Sequence, residues 1–528
     1  MRKASLLFLS LMLVLHSSAA DVVHLRWGKG GVSVKPKRVE GLTITSDGGY
    51  VTVENSDTLR ELRLVLSGES HDGGLVYVGS HKVSFLLSGL RLESGHGSPL
   101  DIRCGKRVAL RLKEGSENVL CDSPDTLRRG VIRTKGHLEL SGGGSLTINA
   151  RGGHGIRAKE YVLLKRSLGS LIINATGDGC KGIRTKGDFF MRGGQVSIRT
   201  SGSYLEEDTT QQFPPMPFDM MDEDEWYDDY DEEFIDEEDM PMGPPFPMPM
   251  PMPDSAFIGR LKAFLGEDST LVDNSFQMGA GMPMPDERLM QRLGEFFEAE
   301  GFMPGGPMGG GPMRPQYNGT AKGIKAQGKI LVEDGTLEVS TATPGAEGLE
   351  GKQGVELRGG TVWVSAYDDA VNSNGQILFS GADVTAISQR NDAVDCNARG
   401  DGSITFTAGH VEAFSGAGPP EEGFDSDEWA IEIDGGEAFS VGSGMGPAPS
   451  LPSGRTARQP YLLFQSLSVQ EGDTLCVRGE DGEEVLTVRT PVSNPVNHSL
   501  VTSPSLRAGA VYLMLINGVE AQRRTAQP

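Results

Sequence analysis

Residues 155–202 read GIRAKEYVLLKRSLGSLIINATGDGCKGIRTKGDFFMRGGQVSIRTSG, which is one pattern written twice. Each copy opens on Gly-Ile-Arg, a small residue and Lys, and continues through two more alternating runs separated by glycine-containing corners. In the second copy the runs are Ile183 to Lys186, Phe189 to Met191 and Val196 to Ile198. Outward from this pair the pattern recurs from Val131, Gly323 and Gly348, and more weakly from Ala370 and Ala393. Successive copies start 24, 27, then, after a long interruption, 25, 22 and 23 residues apart. Three short strands per repeat, each with one inward aliphatic row, suit a parallel β-helix whose coils stack at about 4.8 Å. Independent hairpins would need no common phase, and a propeller blade needs about 40 residues. The expected fold is all-β, a right-handed parallel β-helix.

The composition agrees. Glycine makes up 72 of 528 residues without a Gly-X-Y period, and aromatics are only 6%, which favours many tight corners over helical bundles. The net charge of −23 is concentrated in one place: 203–316 holds 26 acids and 5 bases, so the rest of the chain is nearly neutral. Glu206 to Asp239 alone has 17 acids and no base, and a Pro/Met-rich tract follows. Such a segment repels duplex nucleic acid, so no nucleic-acid partner is expected. Its composition predicts a largely disordered insertion. Two short amphipathic patterns within it, Phe257/Leu261/Phe264/Leu265 and Leu289/Leu293/Phe296/Phe297, suit helices.

The rest divides accordingly. Residues 1–20 read as a signal peptide: Arg2 and Lys3, an apolar run from Leu6 to Leu15, then Ser18-Ala19-Ala20. The run is too short to span a bilayer and no later one is long enough, so a secreted chain without a transmembrane segment is expected. The N-terminal cap and first coils take 21–202, the insertion 203–316, the remaining coils 317–444, a Pro/Ser-rich linker 445–460 and a small β-hairpin module 461–528. Five scattered cysteines, with neither CxxC nor Cys/His zinc spacing, give no disulfide scaffold.

Stacking turns equivalent residues into ladders. With the aliphatic residue inward, the next position forms an outward column of Arg133, Arg157, Arg184 and Lys325, followed by Glu350, Asn372 and Asp395. A second outward column holds Lys135, Lys159, Lys186, Gln327, Lys352, Asn374 and Asn397. Adjacent like charges cost roughly a few tenths of a kcal/mol per pair, which an anionic partner would relieve. The corner ahead of these columns carries Glu347, Asp369 and Asp392, with Asp368 and Asp395 close by. Stacked carboxylates suit a hard, oxygen-seeking divalent cation, Ca²⁺ in the first place. Trp363 is expected to face outward near Tyr367 and the Asp368–Asp369 corner, where a ring could stack on a sugar. Both ladders would also be compatible with plain solvated faces.

The repeats GIRAKEYVLL, GIRTKGDFFMRGGQVSI, GIKAQGKILVEDGTLEV, GGTVWVSAYDDAV and NDAVDCNARGDGSI, with the tail motifs EDGEEVLTVRT and TSPSLRAGAVYLM, resemble the secreted carbohydrate-binding domain family built as a polysaccharide-lyase-like β-helix. The resemblance implies Ca²⁺-dependent binding of acidic, uronate-containing plant-wall polysaccharide of the pectate type, with cellulose as a second ligand, without demonstrated cleavage. On that reading Arg133, Lys135, Arg157, Lys159, Arg184, Lys186 and Lys325 pair with uronate carboxylates, and Trp363 and Tyr367 contact sugar. Asp178, Glu347, Asp368, Asp369, Asp392 and Asp395 are the metal candidates. Asp-Gly-Ile corners survive only as Asp178-Gly179-Cys180, Asp369-Ala370 and Asp392-Ala393, while His154-Gly155 and Glu347-Gly348 replace others, so metal binding by every coil is not expected. Two alternatives remain open here: a lyase using Ca²⁺ and a Lys or Arg base, and a surface adhesin or spacer with a Ca²⁺-binding acidic arm. The 206–239 arm, matching the basic columns in charge, is a candidate to lie over them.

Overall fold

The computed structural model describes residues 21–124, 129–203, 320–398, 402–426, 430–443, 452 and 455–528. Its elements are all strands, and they form the parallel β-solenoid of about 11 turns that the repeat predicts. The leader, the acidic arm, both amphipathic patterns and most of the 445–460 linker lie outside the described residues. Among those described, no helix is long and apolar enough to cross a membrane.

A coil is a triangle of three strands. In the coil beginning at Gly182 they are Ile183–Thr185, Phe189–Met191 and Gln195–Thr200, matching the expected runs except that the first is one residue shorter and the third longer. First strands stack into a 12-stranded sheet; second and third strands share a 22-stranded one. The register is strict because a one-residue slip would turn every apolar side chain outward. Ile132, Ile156, Ile183, Ile324, Leu349, Val371 and Val394 form one column, each fully buried. Burying an aliphatic side chain is worth about 1.5–3 kcal/mol, and every coil repeats the gain. Buried hydroxyls at the corners are satisfied by the previous rung: Ser373 Oγ donates to the Gly351 carbonyl at 2.6 Å, and Cys396 Sγ to Gly375 at 3.3 Å. All five cysteines are buried free thiols.

The interruption does not disturb the stack. Arg184 pairs with Lys325 and Gln195 with Thr336 as though the chain were continuous. The insertion therefore leaves and returns at the corner joining a third strand to the next first strand, where extra residues cost the ladder nothing. Antiparallel strands are added at both ends of the solenoid, which covers part of the exposed sheet edge. Leu42–Asp47 caps the first sheet as an antiparallel hairpin with Tyr50–Asn55. At the other end Asn494–Thr502 pairs antiparallel with Glu437–Val441 and with Tyr461–Val469. The C-terminal module adds a four-stranded antiparallel sheet and a second apolar core around Leu462, Phe464, Val477 and Met514.

Candidate functional site

The first-strand sheet carries the charged columns on its outer side. Read by register, the first column runs Asp101, Arg133, Arg157, Arg184, Lys325, Glu350, Asn372, Asp395, Asp425. One residue ahead of each first strand's lead Gly or Ala, the corner column runs His154, Lys181, Lys322, Glu347, Asp369, followed by Asp392 and Glu422. Both columns change sign at the same coil boundary, between Lys325 and Glu350 and between Lys322 and Glu347. The face is thus divided into a basic half and an acidic half.

Exposure differs from expectation. Arg133, Arg184 and Lys325, expected toward solvent, are buried, Lys325 with no exposed surface at all, and Arg157 is half-buried. Long aliphatic stems can lie along such a face, and carboxylates close the row at both ends. Asp101 reaches Arg133 at 3.6 Å. At the sign boundary Glu350, only 1% exposed, gathers three ammonium groups: Lys322 at 2.7 Å, Lys352 at 2.8 Å and Lys325 at 3.7 Å. Lys322 also lies 3.3 Å from Glu347. A charge this deeply buried is tolerable only when paired. The second column stays nearer the surface, with Lys186 exposed and Lys135 and Lys159 half-buried.

On the acidic half the structure draws five of the six metal candidates together. One oxygen each from Glu347, Asp368 and Asp369, and one each from Asp369, Asp392 and Asp395, lie within 4.8 Å of one another. Asp369 belongs to both groups, and Asp369, Asp392 and Asp395 are all buried. Burial, with the neighbouring carboxylates, raises the pKa of Asp369 well above the usual range and pushes up Asp392 and Glu347. Glu422 is pushed up to about 8 by burial and by Asp425. Asn372 Nδ2 bridges the group, donating to Asp369 Oδ2 at 2.9 Å and Asp395 Oδ2 at 3.0 Å. Asn372 was visible in the sequence as a column member, but its bridging role depends on burial and was not. Glu347 Oε2 is buried without a hydrogen bond. This is an all-oxygen set whose members repel one another when ionised, and such a set fits a Ca²⁺ ion.

Two expected members stand apart. Asp178 is exposed, and its Oδ1 accepts the Ser203 N–H at 2.7 Å, two coils from the carboxylate group and on the basic side of the sign boundary. Trp363 does face outward, 36% exposed, but in the middle of Thr361–Ala366, whereas half-buried Tyr367 begins the corner after it. Four extended residues separate them by roughly 13 Å, so ring and acidic corner do not form one subsite.

The resemblance read from the repeats is borne out. Residues 47–213 and 309–396 match the model of a family described as carbohydrate-binding domain-containing protein. A protein of that description from Acetivibrio thermocellus is 26% identical over 187 residues, covering 31% of this chain and 65% of the relative. The chain therefore spans just under two thirds of that relative's length. Among solved structures, a gadolinium derivative of a polysaccharide lyase-like protein from C. thermocellum is similar, with a TM-score of 0.36 and 14% identity over 73% of this chain and 97% of that one.

Proposed function

From this family match as premise, we propose that the chain binds carbohydrate, and that its ligand is an acidic, uronate-containing polysaccharide held with the help of Ca²⁺. The observation that carries the reading is the division of one face into a basic half and an acidic half with the sign change at a single coil boundary. Asp369, Asp392 and Asp395, with Glu347 and Asp368 beside them, would hold the ion. Bound there, it would supply positive charge where the face is otherwise negative, so that a polyanion could lie across both halves. Lys135, Lys159 and Lys186, the more accessible cations, would meet carboxylates at the rung spacing of about 4.8 Å, close to one sugar repeat.

The role is binding rather than cleavage. A lyase needs a base free to take a proton from substrate, and the lysines beside the acidic corner are engaged in ion pairs, Lys322 with Glu350 at 2.7 Å and Glu347 at 3.3 Å and Lys352 with Glu350 at 2.8 Å. The 206–239 arm, outside the described residues, would compete with ligand through its matching charge; deleting it at low salt should then raise affinity. Calorimetry of the full chain against polygalacturonate, with Ca²⁺ and with chelator, tests the main reading. Binding that survives chelation unchanged, or equal affinity for neutral glucans at this face, refutes it. Growth of unsaturated-product absorbance would refute the non-catalytic part.

A further inference from the structure

Three side chains from the first coils meet on the corners that lead into the first-strand sheet, ahead of the charged columns. Tyr50 opens the strand Tyr50–Asn55, Asp72 lies in the corner before Gly74–Gly79, and His96 in the corner before Leu100–Arg103. Tyr50 Oη donates to Asp72 Oδ1 and lies 3.4 Å from His96 Nδ1. The Tyr50 and His96 rings stack with centroids 4.4 Å apart and planes at 25°. Their corners are two coils apart, about 9.6 Å at the strand spacing, so the phenol ring has to run along the stack to make this contact. Two glycines shape its path. Gly74 is the ladder partner of Tyr50, and a Cβ there would lie 3.4 Å from Tyr50 Cδ1 and Cε1. A Cβ on Gly95 would stand 2.8 Å from Asp72 Oδ1; without one, the Gly95 N–H donates to Tyr50 Oη at 3.1 Å and to Asp72 Oδ1 at 3.2 Å.

An amide N–H shared by two oxygens favours negative charge on either of them. The hydrogen bond from Tyr50 holds Asp72 below the usual carboxylate range, while burial and that same bond raise the phenol. The carboxylate is therefore ionised and the phenol keeps the proton between them. Around that proton stand a phenol oxygen, a carboxylate oxygen and an imidazole nitrogen, with Asp72 and His96 exposed. A metal ion taking the proton's place would meet three ligand atoms at once. Two atoms bonded to one ion at about 2.1 Å and at right angles are about 3.0 Å apart, so the phenol oxygen and imidazole nitrogen need to close by only a few tenths of an ångström. Glu93, three residues before His96, is held by Arg151 at 2.7 Å, which leaves the outer positions to water. A mixed nitrogen and oxygen set with open positions suits a tetragonal divalent transition metal, and along the first-row series Cu²⁺ binds such sites most tightly. The imidazole sets this cluster apart from the all-oxygen group of the acidic half.

We infer that Tyr50, Asp72 and His96 form a Cu²⁺ site, with Tyr50 bound as the phenolate after its proton leaves to solvent and the Gly95 N–H supporting both anionic oxygens. The site is separate from the Ca²⁺ group and does not depend on the carbohydrate reading.

The test is titration of the full chain with copper sulfate, followed by visible absorbance and electron paramagnetic resonance. A saturable phenolate-to-copper charge-transfer band and an axial Cu²⁺ resonance are expected. Tyr50→Phe keeps the ring stacked on His96 and removes only the oxygen, so it should fold and abolish the band. Asp72→Asn and His96→Ala should each weaken the binding read from the band at least tenfold, whereas Asp392→Asn should leave it unchanged. No charge-transfer band at saturating copper overturns the inference and reduces the cluster to a clip between three corners. A band that survives Tyr50→Phe comes from another tyrosine and overturns it equally, as does a band whose titration ignores both Asp72→Asn and His96→Ala.

Discussion

Replacing Gly348 by alanine should destabilise the solenoid, and replacing Val364 by alanine as well should recover much of the loss. A Cβ at Gly348 would lie 2.2 Å from Val364 Cγ1 and 2.5 Å from the Ala370 carbonyl oxygen. The same Gly-against-branched contact recurs at Gly155 with Ile173, Gly182 with Ile198 and Gly323 with Val339, at 2.2–2.4 Å. One coil on, the register puts Ala370 over Gly348 and Ala386 over Val364. There a Cβ is accommodated above the next carbonyl because the facing side chain has shrunk. Gly348→Ala overpacks the corner and should cost about 1–3 kcal/mol. Val364→Ala removes two carbons at about 0.8 kcal/mol each and leaves a small cavity, about 2–3 kcal/mol in all. Independent effects would sum to about 3–6 kcal/mol. The double variant instead recreates the Ala/Ala pair of the following coil, and it should cost only about 1–2 kcal/mol. That is a coupling of about 2–4 kcal/mol, well beyond the 0.3–0.5 kcal/mol within which independent sites add. Guanidinium titration of the four chains, compared by midpoint at constant slope, measures it. Additivity within about 0.5 kcal/mol would refute the packing argument. Gly348 directly follows Glu347, so the single variant should also weaken the Ca²⁺ response while the double restores it.

Other outcomes follow from the charged face. Asp392→Asn should lower Ca²⁺ affinity at least tenfold by calorimetry, whereas Asp178→Asn, on the basic side of the boundary, should leave it unchanged. The raised carboxylates set the sign of the pH response. Glu422, at about 8 when folded and near 4 when unfolded, adds stability below about pH 4 that is lost progressively as pH rises to about 8, and Asp369 and Asp392 act in the same direction. The metal-free chain should therefore melt at a lower temperature at pH 8 than at pH 5, and Ca²⁺ should raise the midpoint strongly at pH 8 and little at pH 5; a midpoint that rises with pH in EDTA would contradict this. Glu350→Gln, which leaves buried ammonium groups short of their counter-charge, should cost about 3–5 kcal/mol in denaturant titration; a neutral result would mean the network contributes nothing at the boundary.

The stacking was legible because the inward rows repeat in phase. Ile156, Ile183, Ile324 and Leu349 follow the same corner in each copy, and a period of about 23 residues leaves few other folds. The column memberships were legible for the same reason, since register in a parallel stack is copied from coil to coil. Burial was not. The rule that places Arg184 opposite Ile183 says which side it takes, not how deeply its long stem sinks into the face. Sequence spacing likewise put Asp178 with Asp369 as similar corners, but the two corners are three coils apart on opposite sides of the sign change.

The order of charge along the face argues against a merely solvated surface. In a parallel stack each outward side chain has two neighbours in its own column, so sign order decides whether contacts attract or repel. Alternating acid and base would make every contact favourable, at about 0.2–1 kcal/mol each. Arg133, Arg157, Arg184 and Lys325 stand consecutively instead, and so do Glu347, Asp369, Asp392 and Glu422 in the neighbouring column. Both runs trade attraction for repulsion at every internal contact, and the two columns make that trade at the same boundary. Part of the compensation is internal, from Asp101 beside Arg133 and from Glu350 among Lys322, Lys325 and Lys352, and bound ligands would add to it. A polyanion over one half and a divalent cation in the other would compensate each run separately, which is why the two halves should respond independently to salt and to chelator.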